Sequence, residues 1–365
     1  MTSFKKYLLH RIKATWVLTL VLCLFAVIIT ATTVQVRHYS YYDVKFDEQG
    51  NPTKEEVLIE DVQLDSLSII FVALCGLCTV IPVIELGELK NKRNADVTYS
   101  LPVDRRKMCV AHFANGFIQI LAVYACAAIT AAMIIVSNGK GHLYLQYLPP
   151  LLLLPIPAAL FLYAYFSYLF NEANSVVDGC VSIASGILMP FMLFLSLSTF
   201  DLYINGKFVI TVVDRLQTRA FPYFPITKIV GIFSDALTHR NLSFSYDELD
   251  IAMIVVWCII GILAAIGFYF SFSRKRVETI GDISSSWVSY KSIIPLAMFC
   301  ITVAIDHSGD FFIVIIGAIA AIIGYMLYRR SFKIKMIDII SIGGAVALAI
   351  VLRIIESALR HIGGR

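Results

Sequence analysis

The sequence predicts an all-α polytopic membrane protein with about nine transmembrane helices. Three observations carry this. The 365-residue chain is 58% hydrophobic with a mean hydropathy of +0.78, where an ordinary soluble domain is about 45–50% apolar. Only 15% of it is charged, against about 25% in soluble domains. The apolar residues are gathered into blocks long enough to cross a ~30 Å hydrocarbon layer, which takes about 20 residues as a helix. A soluble core would show shorter runs at helical or strand spacing.

Residues 1–13 are basic and amphipathic: Phe4, Leu8 and Ile12 share a helical face that Lys5, Lys6 and His10 leave free. This predicts an interfacial amphipathic helix on the inner membrane surface. Lys5, Lys6, Arg11 and Lys13 before the apolar run Trp16–Ile29 give the look of a signal peptide. The many spans that follow favour an uncleaved first helix. The predicted spans are 14–32, 67–87, 108–136, 147–170, 179–199, 251–272, 289–305, 311–328 and 336–353. Between them lie a polar, acidic segment, 33–66, expected as a small hairpin or an ordered loop, and a mixed aromatic and charged segment, 200–250. Within the latter, Thr218–Phe233 is too short, and too broken by Pro222 and Pro225, to span; a re-entrant or interfacial helix pair suits it.

Orientation follows from Lys and Arg. With the N-terminus inside and strict alternation, the inner segments 1–13, 88–107, 171–178, 273–291 and 329–335 hold 18 of the 30 basic residues. The outer loops hold nine, and Arg353, Arg360 and Arg365 fall in the C-terminal tail. Segment 33–66 alone carries eight acidic residues against three basic ones. An odd number of spans puts the basic tail outside, against the rule. Either the tail is interfacial, or a marginal span such as 289–305 does not cross.

Several chemistries find no support. The chain has no GxxxxGK[ST] phosphate loop, no HExxH and no GxSxG, and its seven histidines show no metal spacing. An enzyme is therefore not expected, nor a metal, a cofactor or nucleic-acid binding. Eight cysteines all fall in or at the ends of apolar blocks, including Cys75 and Cys78 at CxxC spacing inside a span. They read as packing thiols, because a redox pair wants an accessible helix N-terminus. Carboxylates deep in the spans are nearly absent, which argues against an ion-coupled transporter. Asn115 and Gln119, at i and i+4 in the third span, make a polar stripe. It either lines a translocation path or bonds one helix to another. Prolines bend the fourth, fifth and seventh spans (Pro149, Pro150, Pro155, Pro157, Pro190, Pro295). Gly261/Ala265, Gly317/Ala321 and Ala320/Gly324 offer close-packing faces, within the chain or between chains.

The most informative stretch is Glu85–Met108, ELGELKNKRNADVTYSLPVDRRKM, polar and charged between two spans. Pro102 ends any helix begun at Asn94, and Asp104 is placed to cap the third span. A short helix against the membrane followed by a sharp turn is expected. It is either a rigid knob for a partner or an ordinary basic loop that holds the topology.

Lys92-Arg93-Asn94-Ala95-Asp96, Tyr99-Ser100-Leu101-Pro102-Val103 and Arg105 resemble the KRxxDxxxSLPvxR segment of bacterial ABC-2 type exporter permeases, notably of Gram-positive bacteria. Arg276–Gly281 (RVETIG) is partly similar to a motif that follows the sixth span in the same group, departing at Val277 and Thr279–Ile280. The resemblance implies a six-helix transmembrane domain over 14–285, with 286–365 as a membrane extension of about three helices. It further implies a subunit without its own ATPase, in a bacterial plasma membrane, with the N-terminus cytoplasmic. The partners implied are an ABC ATPase and a second permease subunit, identical or related. Carried onto this chain, Glu85 and Glu88 lie at the membrane edge of a coupling helix. Asp96, Tyr99, Ser100, Leu101, Pro102 and Arg105 form its docking turn, with Arg93 and Arg106 beside it. The expected cargo is an amphiphile: a peptide antibiotic, a lipid or an envelope precursor. The alternatives are a secondary transporter or channel without an ATPase, and an ATPase-coupled resistance or sensing module, to which 33–66 points.

Overall fold

The computed structural model of the protein describes residues 2–46, 52–65, 67–138, 143–198, 203–204, 207–208, 216–238, 247–275, 277–282, 286, 290–304, 311–329 and 331–363. Its principal helices are α1 (Thr2–Thr33), α2 (Ser68–Gly87), α3 (Lys92–Tyr99), α4 (Arg105–Asn138), α5 (Leu148–Leu153), α6 (Pro155–Glu172), α7 (Val176–Ser198), α8 (Phe224–Thr238), α9 (Glu248–Arg274), α10 (Tyr290–Ala304), α11 (Phe311–Arg329) and α12 (Met336–Gly363). Among the described residues, eight helices are long and apolar enough to cross a membrane. The protein is a helical, multi-pass membrane protein, as expected where backbone groups meet no water and must pair within their own helix.

Three elements differ in detail from the sequence expectation. No break separates residues 1–13 from the apolar run, because α1 continues through 32 residues with no Pro or Gly to stop it. The fourth span is two helices, α5 and α6, parted at Leu154. Pro155 and Pro157 bring no N–H for the carbonyls one turn earlier. The expected span 289–305 is α10, only 15 residues, or about 22 Å. The acidic segment 33–66 forms a hairpin of β1 (Gln35–Phe46) and β2 (Pro52–Asp65). Its antiparallel register runs from Gln35 opposite Asp65 to Val44 opposite Glu56.

The chain forms two compact units. The first comprises Met1–Ile81, Ala111–Leu160 and Pro225–Tyr246. Here α1 meets α4 through two polar contacts, Tyr7 Oη with His112 Nε2 at 3.0 Å and Asn115 Nδ2 donating to Thr15 Oγ1 at 3.2 Å. Tyr124 on α4 donates its hydroxyl to the carbonyl of Leu152 at 2.8 Å, beside the α5–α6 break. The core is Ile70, Leu74, Cys78, Ile120, Ile135, Leu151 and Ala159. Most other faces of α1 carry exposed apolar side chains such as Trp16, Leu24, Phe25 and Ile28, suited to lipid. Around the proline-broken stretch 218–233, α8 runs from Phe224 with Pro225 in its first turn, and a short helical turn at 216–219 precedes it in the second unit.

The second unit comprises Pro82–Val110, Phe161–Phe224 and Asp247–Arg365. α9 packs on α6 so closely that a Cβ on Gly261 would lie 2.4 Å from Phe161 Cβ and 2.9 Å from its Cα. Gly317 and Gly324 likewise face Met298, Ile301 and Ile294 of α10, so these small residues pack within the chain. α10 lies against α7, α11 and α12. Ser196 on α7 donates to the Cys300 carbonyl at 3.0 Å, and the Arg353 guanidinium donates to the Val303 carbonyl at the end of α10. A helix end otherwise lacks partners for its last carbonyls. Arg329 and Asp338 form an ion pair at 2.5 Å, nearly shielded from solvent, joining α11 to the start of α12.

Candidate functional site

The second unit carries α3, and its construction follows from local sequence. Asn91 sits in extended conformation and its side chain accepts from the Arg93 N–H at 3.2 Å, capping the helix. The cap sets the start at Lys92, two residues before the expected one. Ser100 closes the other end, its N–H bonded to the Asp96 carbonyl at 3.1 Å. Pro102 prevents continuation. Asp104 then accepts from the Arg106 N–H at 3.2 Å and caps α4, as its position in the sequence predicts.

Two turns of helix present two different faces. Ala95 is wholly buried, whereas Val97 is 64% exposed and Leu101 41%. Val97 lies in the second turn of α3 and Leu101 in the bend just past its Ser100 cap, and both are exposed apolar side chains. Glu88, Arg93, Asp96, Ser100, Pro102 and Arg106 are exposed around them. The outer side of this elbow is thus an apolar ridge in a charged frame.

The inner side is fixed by segments far away in sequence. α3 packs on the short turn Val277–Thr279. The Tyr99 ring stands 6.3 Å from that of Phe272, with the Arg105 guanidinium 5.0 Å above it. Arg105 also donates from Nη1 to the Lys275 carbonyl at 2.7 Å, where α9 ends. Gly281 has φ +84°, a left-handed conformation that a Cβ would strain. Its N–H reaches the Asn174 carbonyl at 3.0 Å.

Beneath this lies a polar knot around residues 171–174, the connection between α6 and α7. Lys90 donates to the carbonyls of Asn171, at 3.0 Å, and Ala173, and its Nζ lies 5.2 Å from the Phe170 ring centre. Lys275 donates to the same two carbonyls, with 2.5 Å to that of Ala173. The Glu172 carboxylate accepts from Ser271 and, at 2.5 Å, from Ser286. Asn171 Nδ2 donates to Ser271 Oγ at 3.1 Å. Burial pulls the Lys275 ammonium below its usual pKa, while the Glu172 charge opposes that.

The residues expected to matter in this region divide by environment. Tyr99 and Arg105 are half-buried and hold α3 in place, and Glu85 is buried on α2. The exposed remainder is Glu88, Arg93, Asp96, Ser100, Leu101, Pro102 and Arg106. Asn115 and Gln119 are buried in the first unit, and the Asn115 bond to Thr15 is a helix-to-helix contact. Sequence reasoning passed over Lys90, Lys275, Glu172 and Val97. A lysine or glutamate at the last turn of a span is a common topology marker, and nothing local separates these from the rest. Among the described residues, no group of three or more His, Cys, Asp or Glu side chains is placed to hold a metal ion.

Comparison of the chain with family models, with curated proteins and with solved structures gives no match.

Proposed function

We propose that this chain is the transmembrane subunit of an ATP-driven exporter of the ABC-2 type, taking mechanical work from a separate ATPase through α3. One observation carries the reading. Parts of the two stretches that resemble that family meet in a single cluster: α3 packs on the turn Val277–Thr279, and Arg105 bonds to the carbonyl of Lys275 just before that turn, 170 positions away. A loop that serves only to mark topology has no need of two caps, a buried face and a rigid base. An element that transmits force does.

The excess of Lys and Arg in the inner segments supports a cytoplasmic N-terminus and a cytoplasmic α3, and the resemblance supports a bacterial plasma membrane. The exposed Val97–Leu101 ridge suits an apolar slot rimmed by charge on the ATPase. Two cooperating ATPase subunits ask for two transmembrane subunits, so the working unit is a dimer of identical or related chains. The cargo is an amphiphile able to enter from the bilayer. The hairpin Gln35–Asp65 favours a second reading, an ATPase-coupled resistance module in which this hairpin meets the noxious compound.

The test is extraction of the full chain from its native membrane in mild detergent, with identification of whatever remains bound. The expected result is a protein with a phosphate-binding loop at near-equal stoichiometry. If the chain purifies alone and moves solute unaided in vesicles, or if Ser100→Cys reacts with a membrane-impermeant maleimide from outside intact cells, the reading fails.

A further inference from the structure

We propose that the basic face at the start of α1 binds the headgroups of anionic phospholipids, whose chains then lie along the same face of the helix within the bilayer. The unbroken course of α1 makes this possible. From Trp16 to Thr33 it rises about 27 Å at 1.5 Å per residue, which nearly fills a hydrocarbon layer of ~30 Å. The residues before Trp16 therefore enter the headgroup layer as a continuation of the same helix, and its rotation is fixed. Tyr7 and Thr15, eight residues apart and so on one face, are bonded to His112 and Asn115 of α4. At 3.6 residues per turn, the face turned away from α4 consists of Lys5, Lys6, Leu9, His10 and Lys13, and all five are exposed. Leu9, Lys13, Trp16, Leu20 and Leu24 follow one another along it at spacings of three and four, and Trp16, Leu20 and Leu24 are exposed as well. Cation, indole and alkyl surface thus stand in the order that phosphate, ester region and chain take in a phospholipid.

Charge supplies the second argument. No Asp or Glu occurs before Asp43, and none occurs in α4. The helix that carries these lysines and the helix on which it packs offer them no counter-ion, whereas an anionic headgroup does. Lys13 stands about 5 Å beyond Trp16, within a headgroup layer of about 5–8 Å. Lys5 and Lys6 stand about 15–17 Å beyond it, roughly one Debye length past that layer. A lysine at the surface of an anionic membrane strengthens attraction about fivefold. Lys13 is expected to contribute that factor, and Lys5 and Lys6, damped by screening, about twofold each. None of this depends on an ATPase.

Quenching of Trp16 by bromine on lipid chains tests the proposal in the full-length protein. Trp257→Phe with Trp287→Phe leaves Trp16 alone among three tryptophans. Should that variant fold poorly, the native protein and Trp16→Phe give the same signal by difference. The protein is reconstituted in phosphatidylcholine vesicles holding a small fraction of brominated phosphatidylglycerol or of brominated phosphatidylcholine. Bromine quenches only on contact, so the dependence on that fraction reports the relative affinity of each lipid for the surface beside Trp16. Phosphatidylglycerol is expected to be preferred about 20-fold, the product of the three lysine factors. About 1 M salt, with a Debye length of ~3 Å, should shrink the preference. Lys13→Gln should lower it about fivefold and Lys6→Gln about twofold. The triple variant with Lys5→Gln should abolish it at an unchanged melting temperature, because all three side chains are exposed. Equal quenching by the two lipids, a preference that survives the triple substitution, or an effect no larger at Lys13 than at Lys6 overturns the proposal. Displacement of the brominated lipid by glycerol phosphate at matched ionic strength would make the face a site for soluble anions and overturn it equally.

Discussion

Replacing Val97 and Leu101 together with serine removes the apolar ridge of α3 while leaving its caps and base intact. Both side chains face solvent, at 64% and 41% exposure, so the free protein should lose less than about 0.5 kcal/mol of stability. A partner that covers them buries what is now exposed. Full burial of such a side chain contributes about 1.5–3 kcal/mol. Scaled by those exposures, Val97 offers about 1–2 kcal/mol and Leu101 about 0.6–1.2 kcal/mol. At about 1.4 kcal/mol per factor of ten, their loss weakens binding roughly 15- to 200-fold. The assay is titration of the co-purified ATPase onto immobilised permease in detergent, alongside a melting curve of the permease alone. Unchanged affinity at unchanged melting temperature would refute the argument that this ridge is the docking surface. A fall in melting temperature large enough to explain the loss would show that the side chains serve the fold instead.

Three further outcomes follow from the packing. Gly261→Ala should destabilise the second unit by about 1–3 kcal/mol, because its Cβ would sit 2.4 Å from Phe161 Cβ. Gly76→Ala, with nothing within 4 Å, should leave the melting curve in place, and equal curves for both variants would contradict the helix contact. Arg353→Met takes the guanidinium from the Val303 carbonyl at the end of α10 and should cost about 1–3 kcal/mol. Faster hydrogen exchange confined to 299–304 is the expected sign, and unaltered exchange there would refute the capping role. Asn115→Ala breaks the bond to Thr15 and should cost about 0.6–1.7 kcal/mol with export of cargo retained. Lost export at full stability would instead make Asn115 part of a path for cargo.

The spanning helices were legible because hydrophobic length is a local property that each block carries by itself. The ends of the α3 segment were legible for a similar reason. Pro102 and Asp104 act on their own backbone neighbours, and the structure places both where that chemistry puts them. The helix starts two residues before Asn94 because the Asn91 side chain accepts from the Arg93 N–H and caps it there. The shortness of α10 was visible as a marginal span. That its last turn is served by Arg353 was not, since the two lie 50 positions apart. The same basic residue that strained the charge rule in the sequence is, in the fold, a partner for a carbonyl.

The Lys90–Lys275 arrangement marks the boundary between the two kinds of information. Composition, charge bias and turn chemistry by themselves determined a helical multi-pass protein with a short capped helix between its second and third spans, because each of those signals is exhausted within a few residues of chain. Which lysines turn inward, which arginine stacks on Tyr99 and which valine is left facing solvent depended on α6, α7 and α9 arriving beside α3. Such pairings are decided by packing between helices, and a side chain's partner there is whatever the fold brings within about 3 Å, however distant it is along the chain.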